Sequence, residues 1–504
     1  MATDARGGGP QRRRRHERGR PRRRADDHRH DGPHDGPHDD GPGAPGPADT
    51  AREGVVERLV PGGHGLLRDG DGVVFVDGVV PSERVRYSVV ARRGGARHGR
   101  LLAVVQPSPA RAVPGCRHAV AGDGVDDARA CGGCDWLHMD DDARARGKEA
   151  LVDDALLRIA RLPPALVATA RAPLPALDLR DPGSARRRVR LHIDDDGRAG
   201  FHARRSRALV VVDDCPALDA RLRAVLPRLP RLGPGGDLRL AVDDAGCVVA
   251  AVDDADDARA LHGAGVVDGV VVPDRGARRR SGDDGVDDAR ALDDRGRDRA
   301  TWGDPLLRGE VTAGMCQATS DAASFTQATR HGGRAILDAV VDAVAVVVAG
   351  AGRPGIAGAA VLELFAGSGH LTLPLARAGA RVDAVEGDAR GFRFLVDNVD
   401  RFCPAGSVRP RRAFIDPGLP IEDAVDVVVA DPPRTGIPGA AALFARCRAA
   451  GAAGLVLVSC DPATGARDLR AALDAGFVLQ RVVPLDAFPG THHVEWVATL
   501  TTTR

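Results

Sequence analysis

Aromatic side chains make up only 3% of this 504-residue chain, and lysine is almost absent. The first scarcity weakens any fold built on a wide aromatic stacking surface. The second, set beside abundant Arg, Ala, Asp and Gly, reads as codon bias rather than function. A formal net charge of +1 excludes a polycation. It does not exclude a nucleic-acid partner, because local clusters of arginine matter more than the total. No apolar run reaches the roughly 18–20 residues that a membrane span needs. The longest, around Val340–Ala351, is short and contains Asp342. No secretory apolar segment stands near the N-terminus, so a cytoplasmic protein without a membrane partner is expected. Nine cysteines in a chain of this length are too few for a disulfide scaffold. In a reducing compartment they must be core residues, metal ligands or nucleophiles.

What is present falls into segments. A length of 504 residues, at roughly 150 per domain, predicts about three domains. Hydrophobic residues at 43% allow a sizeable core. Residues 1–53 read as a disordered, low-complexity tail, Arg-dense over Arg12–Arg24 and then rich in Asp, Gly, Pro and His. From Gly54 onward, short β-branched runs are broken by glycine. Val55–Leu59, Gly72–Phe75, Glu83–Val90 and Arg100–Val105 read as strands of a small barrel. Leu191–Val212 reads as two strands around an Asp-rich turn, and the Asp/Arg-rich stretch 253–300 has no assignable pattern. Further on, apolar runs at Ala360–Phe365, Arg381–Glu386, Val425–Ala430, Gly454–Ser459 and Val494–Thr499 alternate with helical patterns such as Ala389–Asn398 and Pro462–Ala475. That alternation predicts a doubly wound α/β domain with a largely parallel sheet.

Three motifs in this last region carry chemistry. Leu362-Glu363-Leu364-Phe365-Ala366-Gly367-Ser368-Gly369-His370 runs from a strand through a glycine turn into a helix. Such a turn lets a ligand approach the backbone at the carboxyl end of the strand. Glu386, ending the next strand, can accept hydrogen bonds from both ribose hydroxyls of an adenosine. S-adenosylmethionine and NAD both satisfy this pair of features. Asp431-Pro432-Pro433-Arg434 is either a rigid loop against cofactor and substrate or a plain strand-ending turn. Cys460 stands between a strand end and Asp461-Pro462, which suit a helix cap and first turn. A helix N-terminus favours a thiolate, so Cys460 is a candidate nucleophile, although an isolated cysteine there can equally be inert core. Addition of a thiolate to a ring carbon requires a base to complete the cycle, and Glu495 is the candidate. The neighbouring His492-His493 has no matching partner set for a metal.

Cys116, Cys131, Cys134 and Cys215 form a separate four-thiol set. Thiolates suit zinc or an iron–sulfur cluster, and the irregular spacing leaves both open. Cys247, Cys316, Cys403 and Cys447 read as ordinary buried residues.

Over about residues 54–504 the chain resembles the bacterial RNA 5-methyluridine methyltransferases, in particular their 23S ribosomal RNA branch. Ser459-Cys460-Asp461-Pro462-Ala463-Thr464 and Phe488-Pro489 through Glu495 carry the likeness most specifically. The resemblance implies a Rossmann-like class I methyltransferase domain over 311–504. A TRAM-like, RNA-binding β-barrel would span 54–110, and a mixed α+β central domain 111–310. It implies Cys460 as nucleophile on C6 of uracil and Glu495 as the base that removes the C5 proton. Contacts to S-adenosylmethionine would fall on Gln327, Phe365, Gly367, Gly369, His370, Glu386, Asp416 and Asp431. The four cysteines would hold a [4Fe-4S] cluster, and the protein would be a monomer acting on RNA. The tRNA branch generally lacks barrel and cluster, which favours rRNA over tRNA as substrate. A catalytically inactive RNA-binding fold is the other alternative. Three positions depart from the family pattern: Thr329 stands for Asn after Phe325-Thr326-Gln327, His370 for Asn or Thr, and Ser82 for the glycine of a barrel turn.

Overall fold

The computed structural model describes residues 51–502, apart from 94, 120–129, 176, 178–180, 275–297, 313–315 and 422–423. Residues 1–50 of the expected tail lie outside the described residues. The described residues form one compact unit.

Five strands close the barrel: β1 (Arg52–Val60), β2 (His64–Asp69), β3 (Gly72–Val76), β4 (Arg84–Arg93) and β5 (Ala96–Gln106), in the order β1-β2-β3-β5-β4. The first strand starts two residues before the expected onset at Gly54. Val56, Leu67, Val74, Val76, Val85 and Tyr87 fill its interior. The strand at His64–Asp69 is absent from the sequence reading, because it has no β-branched residue and lies between two turn signals. Ser82 adopts φ +73°, the left-handed region that glycine occupies without strain.

A seven-stranded mixed sheet follows: β6 (Arg188–Ile193), β7 (Ala199–His202), β8 (Leu209–Val211), β9 (Asp237–Val242), β10 (Val248–Ala251), β11 (Gly269–Pro273) and β12 (Asp298–Gly303), ordered β12-β11-β10-β9-β6-β7-β8. The two strands expected over Leu191–Val212 are therefore three. Within the unassigned stretch 253–300 lie a helix at Ala255–Gly263 capped by Asp254, whose charged face hides its pattern, and β11, a short wholly buried apolar run. The hairpin β13 (Leu307–Thr312) and β14 (Cys316–Ser320) leads into the last part of the chain.

That part is a second seven-stranded sheet: β15 (Ala360–Leu364), β16 (Arg381–Glu386), β17 (Val408–Arg412), β18 (Val427–Ala430), β19 (Gly454–Ser459), β20 (Phe477–Leu485) and β21 (Glu495–Thr502). The order is β17-β16-β15-β18-β19-β21-β20, with only β21 running antiparallel to its neighbours. The doubly wound architecture expected from sequence is present. Helices cover both faces, so β18 and β19 are wholly buried and read as unbroken apolar runs. The apolar stretch at Val340–Ala351 belongs to a helix over Arg330–Gly350 that buries Ile336, Val340, Val344 and Val347 against this sheet. Among the described residues no helix is long and apolar enough to cross a membrane.

Relief of the left-handed strain at Ser82 gives a direct prediction. Ser82→Gly should raise stability by about 1 kcal/mol, read as a shifted denaturant midpoint at constant m-value. An unchanged or lowered midpoint contradicts it.

Candidate active site

The crossover between β15 and β18 opens a crevice at the carboxyl ends of the strands, the place where open α/β sheets bind ligands. A cavity of about 990 Å³ lies there. Its wall includes Gln327, Phe365, Gly367, His370, Glu386, Asp431 and Cys460. Seven of the expected site residues thus meet in one space. The wall also takes in Arg188 and Val242 from the mixed sheet.

The glycine turn is built by backbone and side chain together. Phe365 follows β15 at φ +64°, and Gly367 and Gly369 come next at φ +57° and +99°. Glu386 braces the turn: Gly367 N–H donates to Oε2 at 2.7 Å, and Asp388 N–H donates to Oε1 at 2.6 Å. A carboxylate has about four acceptor sites, so ribose hydroxyls can still be received. Asn398 locks the same turn by donating to the Ser368 carbonyl and exchanging bonds with Thr319. His370 is half-buried, and its Nε2–H donates to the Gly333 carbonyl at 3.1 Å. Burial lowers its pKa from the usual histidine value. Three expected residues are not in the wall: Glu495, Gly369 and Asp416. Gly369 serves the turn itself, where a side chain would collide with Leu373. Asp416 accepts from Gly418 N–H at 2.7 Å within its own loop.

The reactive end is set by strand pairing. Antiparallel register matches Ser459 of β19 with Trp496 of β21. The next residues out, Cys460 and Glu495, therefore stand across from each other, and each lies within the other's electrostatic reach. Glu495 is only 3% exposed. Burial pushes its carboxyl up to about 8, aided by Asp431 and opposed by Arg434. Asp431 is likewise pushed up to about 7 by burial. The expected helix-stabilised thiolate at Cys460 does not hold for this state. Burial, then Glu495 and Asp431, push the thiol up to about 12, and Arg434 pulls the other way. The helix over Pro462–Asp474 begins as expected, but Asp461 caps it by accepting from Thr464 N–H at 2.8 Å. A carboxylate thus occupies the helix end that would favour the thiolate.

Glu363 escaped the sequence reading. It lies in the middle of β15, lines the cavity and is wholly buried. One of its carboxyl oxygens has no hydrogen-bond partner. Burial pushes it up to about 8. The available signal was a lone acid within an apolar strand. His492 and His493 face Asp135 and Phe488.

Away from the crevice, Cys116, Cys131, Cys134 and Cys215 are free, half-buried and close enough to perturb one another's thiols. Gly133 N–H donates to Cys131 Sγ at 3.3 Å, and Arg186 donates to Cys134 Sγ at 3.5 Å. Among the described residues no three His, Cys, Asp or Glu side chains form a group set to hold a single metal ion. Of the other cysteines, Cys447 is buried, whereas Cys247 and Cys403 are only half-buried.

Known proteins bear on this arrangement in two ways. No family profile matches the sequence. A solved structure of a tRNA (uracil-54, C5)-methyltransferase from Pyrococcus abyssi, with S-adenosyl-L-homocysteine, superposes with a TM-score of 0.63 at 20% identity, covering 89% of this chain and all of that one. The fold is therefore that of the Rossmann-like methyltransferases. A 23S rRNA (uracil(1939)-C(5))-methyltransferase of Halomonas elongata is 33% identical over 470 residues, 89% of either chain. Its counterpart in Chromohalobacter salexigens is 31% identical over 90% of either chain. An uncharacterized RNA methyltransferase of Caulobacter vibrioides is 32% identical over 87% of this chain and 97% of its own. The chain belongs to the RNA (uracil-C5)-methyltransferase family.

The raised carboxyls set a pH dependence of stability. The folded state keeps protons on Glu363, Asp431 and Glu495 up to about pH 7–8, whereas the unfolded chain releases them in the ordinary carboxylate range. Stability conferred by these protons is lost as pH rises through the folded values. Thermal midpoints taken without methyl donor should fall from about pH 5 to about pH 8 and level off above, and Glu363→Gln should flatten that fall. An equally steep fall in the variant contradicts a protonated Glu363.

Proposed function

We propose that this chain transfers a methyl group from S-adenosylmethionine to C5 of a uridine in 23S ribosomal RNA. The observation that carries the reading is a thiol in the wall of the crevice that holds the glycine turn and Glu386, with a buried carboxyl on the strand end facing it. Uracil C5 is a weak nucleophile. Cys460 gives its proton to solvent as the substrate enters, its sulfur bonds to C6, and the ring π electrons move toward C5 and O4. C5 then takes the sulfonium methyl, and the donor leaves as the thioether. The Glu495 carboxylate removes the C5 proton, the C5–C6 double bond re-forms, and the C6–S bond breaks. A base whose pKa lies near the working pH both accepts and returns a proton readily. Arg434 is the cation available to favour the thiolate once base and RNA exclude water.

Gln327, Phe365, Gly367, His370, Glu386 and Asp431 would contact the methyl donor, with Gly369 and Asp416 acting through the loops they shape. The barrel over 54–110 would contact RNA phosphates, beside a central domain over 111–310 and a methyltransferase domain over 311–504. The protein would work as a cytoplasmic monomer.

The four cysteines fit a [4Fe-4S] cluster. Each of four thiols binds a separate iron, so they need not converge as around one ion. The amide and guanidinium donors on Cys131 and Cys134 suit a negatively charged cluster. Cys116, Cys131, Cys134 and Cys215 would hold it, and the group would supply a structural cross-link between the loops that carry them.

Purified full-length protein given methyl donor and 5-fluorouridine-substituted 23S rRNA should form a denaturant-resistant adduct. Cys460→Ala should form none and should lose methylation to background. Methylation by Cys460→Ala, or no adduct on rRNA or tRNA, contradicts the proposal. Anaerobic preparations should contain iron and acid-labile sulfide in equal amounts, and stoichiometric zinc without iron contradicts the cluster.

A further inference from the structure

The segment leading into Glu495 is anchored from a distant part of the chain. Asp135, directly after Cys134, accepts from His492 N–H at 2.9 Å through Oδ1, and His492 Nδ1–H donates to Oδ2. Their side chains are 11% and 22% exposed. Trp136 N–H donates to the Gly490 carbonyl at 3.1 Å, and its indole N–H donates to the Gly63 carbonyl at 3.2 Å. Gly490, at φ +76°, lies so close to Leu137 that a Cβ would stand 2.8 Å from it. Lys148 Nζ donates to the Phe488 carbonyl at 3.0 Å and pairs with Asp486. The barrel closes over the same junction, because any side chain on Gly63 would collide with the Asp135 carboxylate. Cys460 is held by β19 and by the Asp461 cap. Nucleophile and base share the β19–β21 pairing, but the Asp135, Trp136 and Lys148 anchors act on the segment before the base alone.

We propose that Asp135 is a positioning residue: through His492 it fixes the path of the chain into Glu495, so that removal of the C5 proton depends on it while addition of the thiol does not. This rests on Glu495 being the base. A misplaced carboxylate should stall the cycle after methyl transfer, with Cys460 still bonded to C6. It would also make proton removal sensitive to the loop that carries Cys131 and Cys134.

The test uses the full chain, unsubstituted 23S rRNA and methyl donor. Asp135→Asn should accumulate a denaturant-resistant adduct that the wild type does not. Its turnover should fall ~100-fold, with KM for the methyl donor unchanged. His492→Ala, which removes the pair from the other side, should do the same, and the double variant should be no worse than either single one. Iron content confirms that the cysteine loop is intact in each. Wild-type turnover in both variants, or lost activity without an adduct while Glu495→Gln accumulates one, overturns the proposal. If Glu495→Gln also accumulates none, the base assignment itself fails, and the positioning role falls with it.

Discussion

One strand running against its neighbours determines what this crevice can do. In a wholly parallel sheet, the residue beside the end of β19 would lie at the end of another strand pointing the same way. Because β21 enters from the opposite direction, its first residue meets the last residues of β19. A thiol just past one strand and a carboxyl at the start of the next thus share a face without any loop having to reach across. Shift the register by one residue and Glu495 would turn to the other face of the sheet. The pairing is protected by position, since both strands are wholly or almost wholly buried between helices.

Burial then sets the electrostatics. Glu363, Asp431 and Glu495 are all withdrawn from water around the crevice, and each holds its proton far above the ordinary carboxylate range. Unlike charges in water, these cannot ionise together at little cost. Cys460 sits among them and keeps its proton as well. With these protons in place the four groups carry little charge of their own. The site gains its reactivity from groups brought into it, a sulfonium cation on one side and a polarisable ring on the other.

Much of this was legible in the sequence, for physical reasons that differ by element. The buried strands β15, β18 and β19 announce themselves because both faces are covered and nearly every residue is apolar, whereas β16 shows itself by alternating charged and apolar positions. The edge strands β17 and β20 do not, since Val408–Arg412 is mostly charged and Phe477–Leu485 alternates exposed and buried positions. Cys460 and Glu495 could be found because chemistry demands a nucleophile and a base, and short motifs frame both. Glu363 was passed over as part of an apolar run. The bond from Asp135 to His492 spans 357 residues of sequence, and no local pattern encodes such a meeting. The thiolate expectation failed for a similar reason: helix-end logic is local, whereas the carboxyls that oppose it arrive from β18 and β21.

The most direct test of the account is to locate the covalent bond. Mass spectrometry of the protease-digested adduct with 5-fluorouridine RNA should find the nucleotide on the peptide containing Ser459–Arg467, attached at Cys460. Attachment at any other residue, or on any of the four clustered cysteines, would contradict the assignment of this crevice as the reaction site.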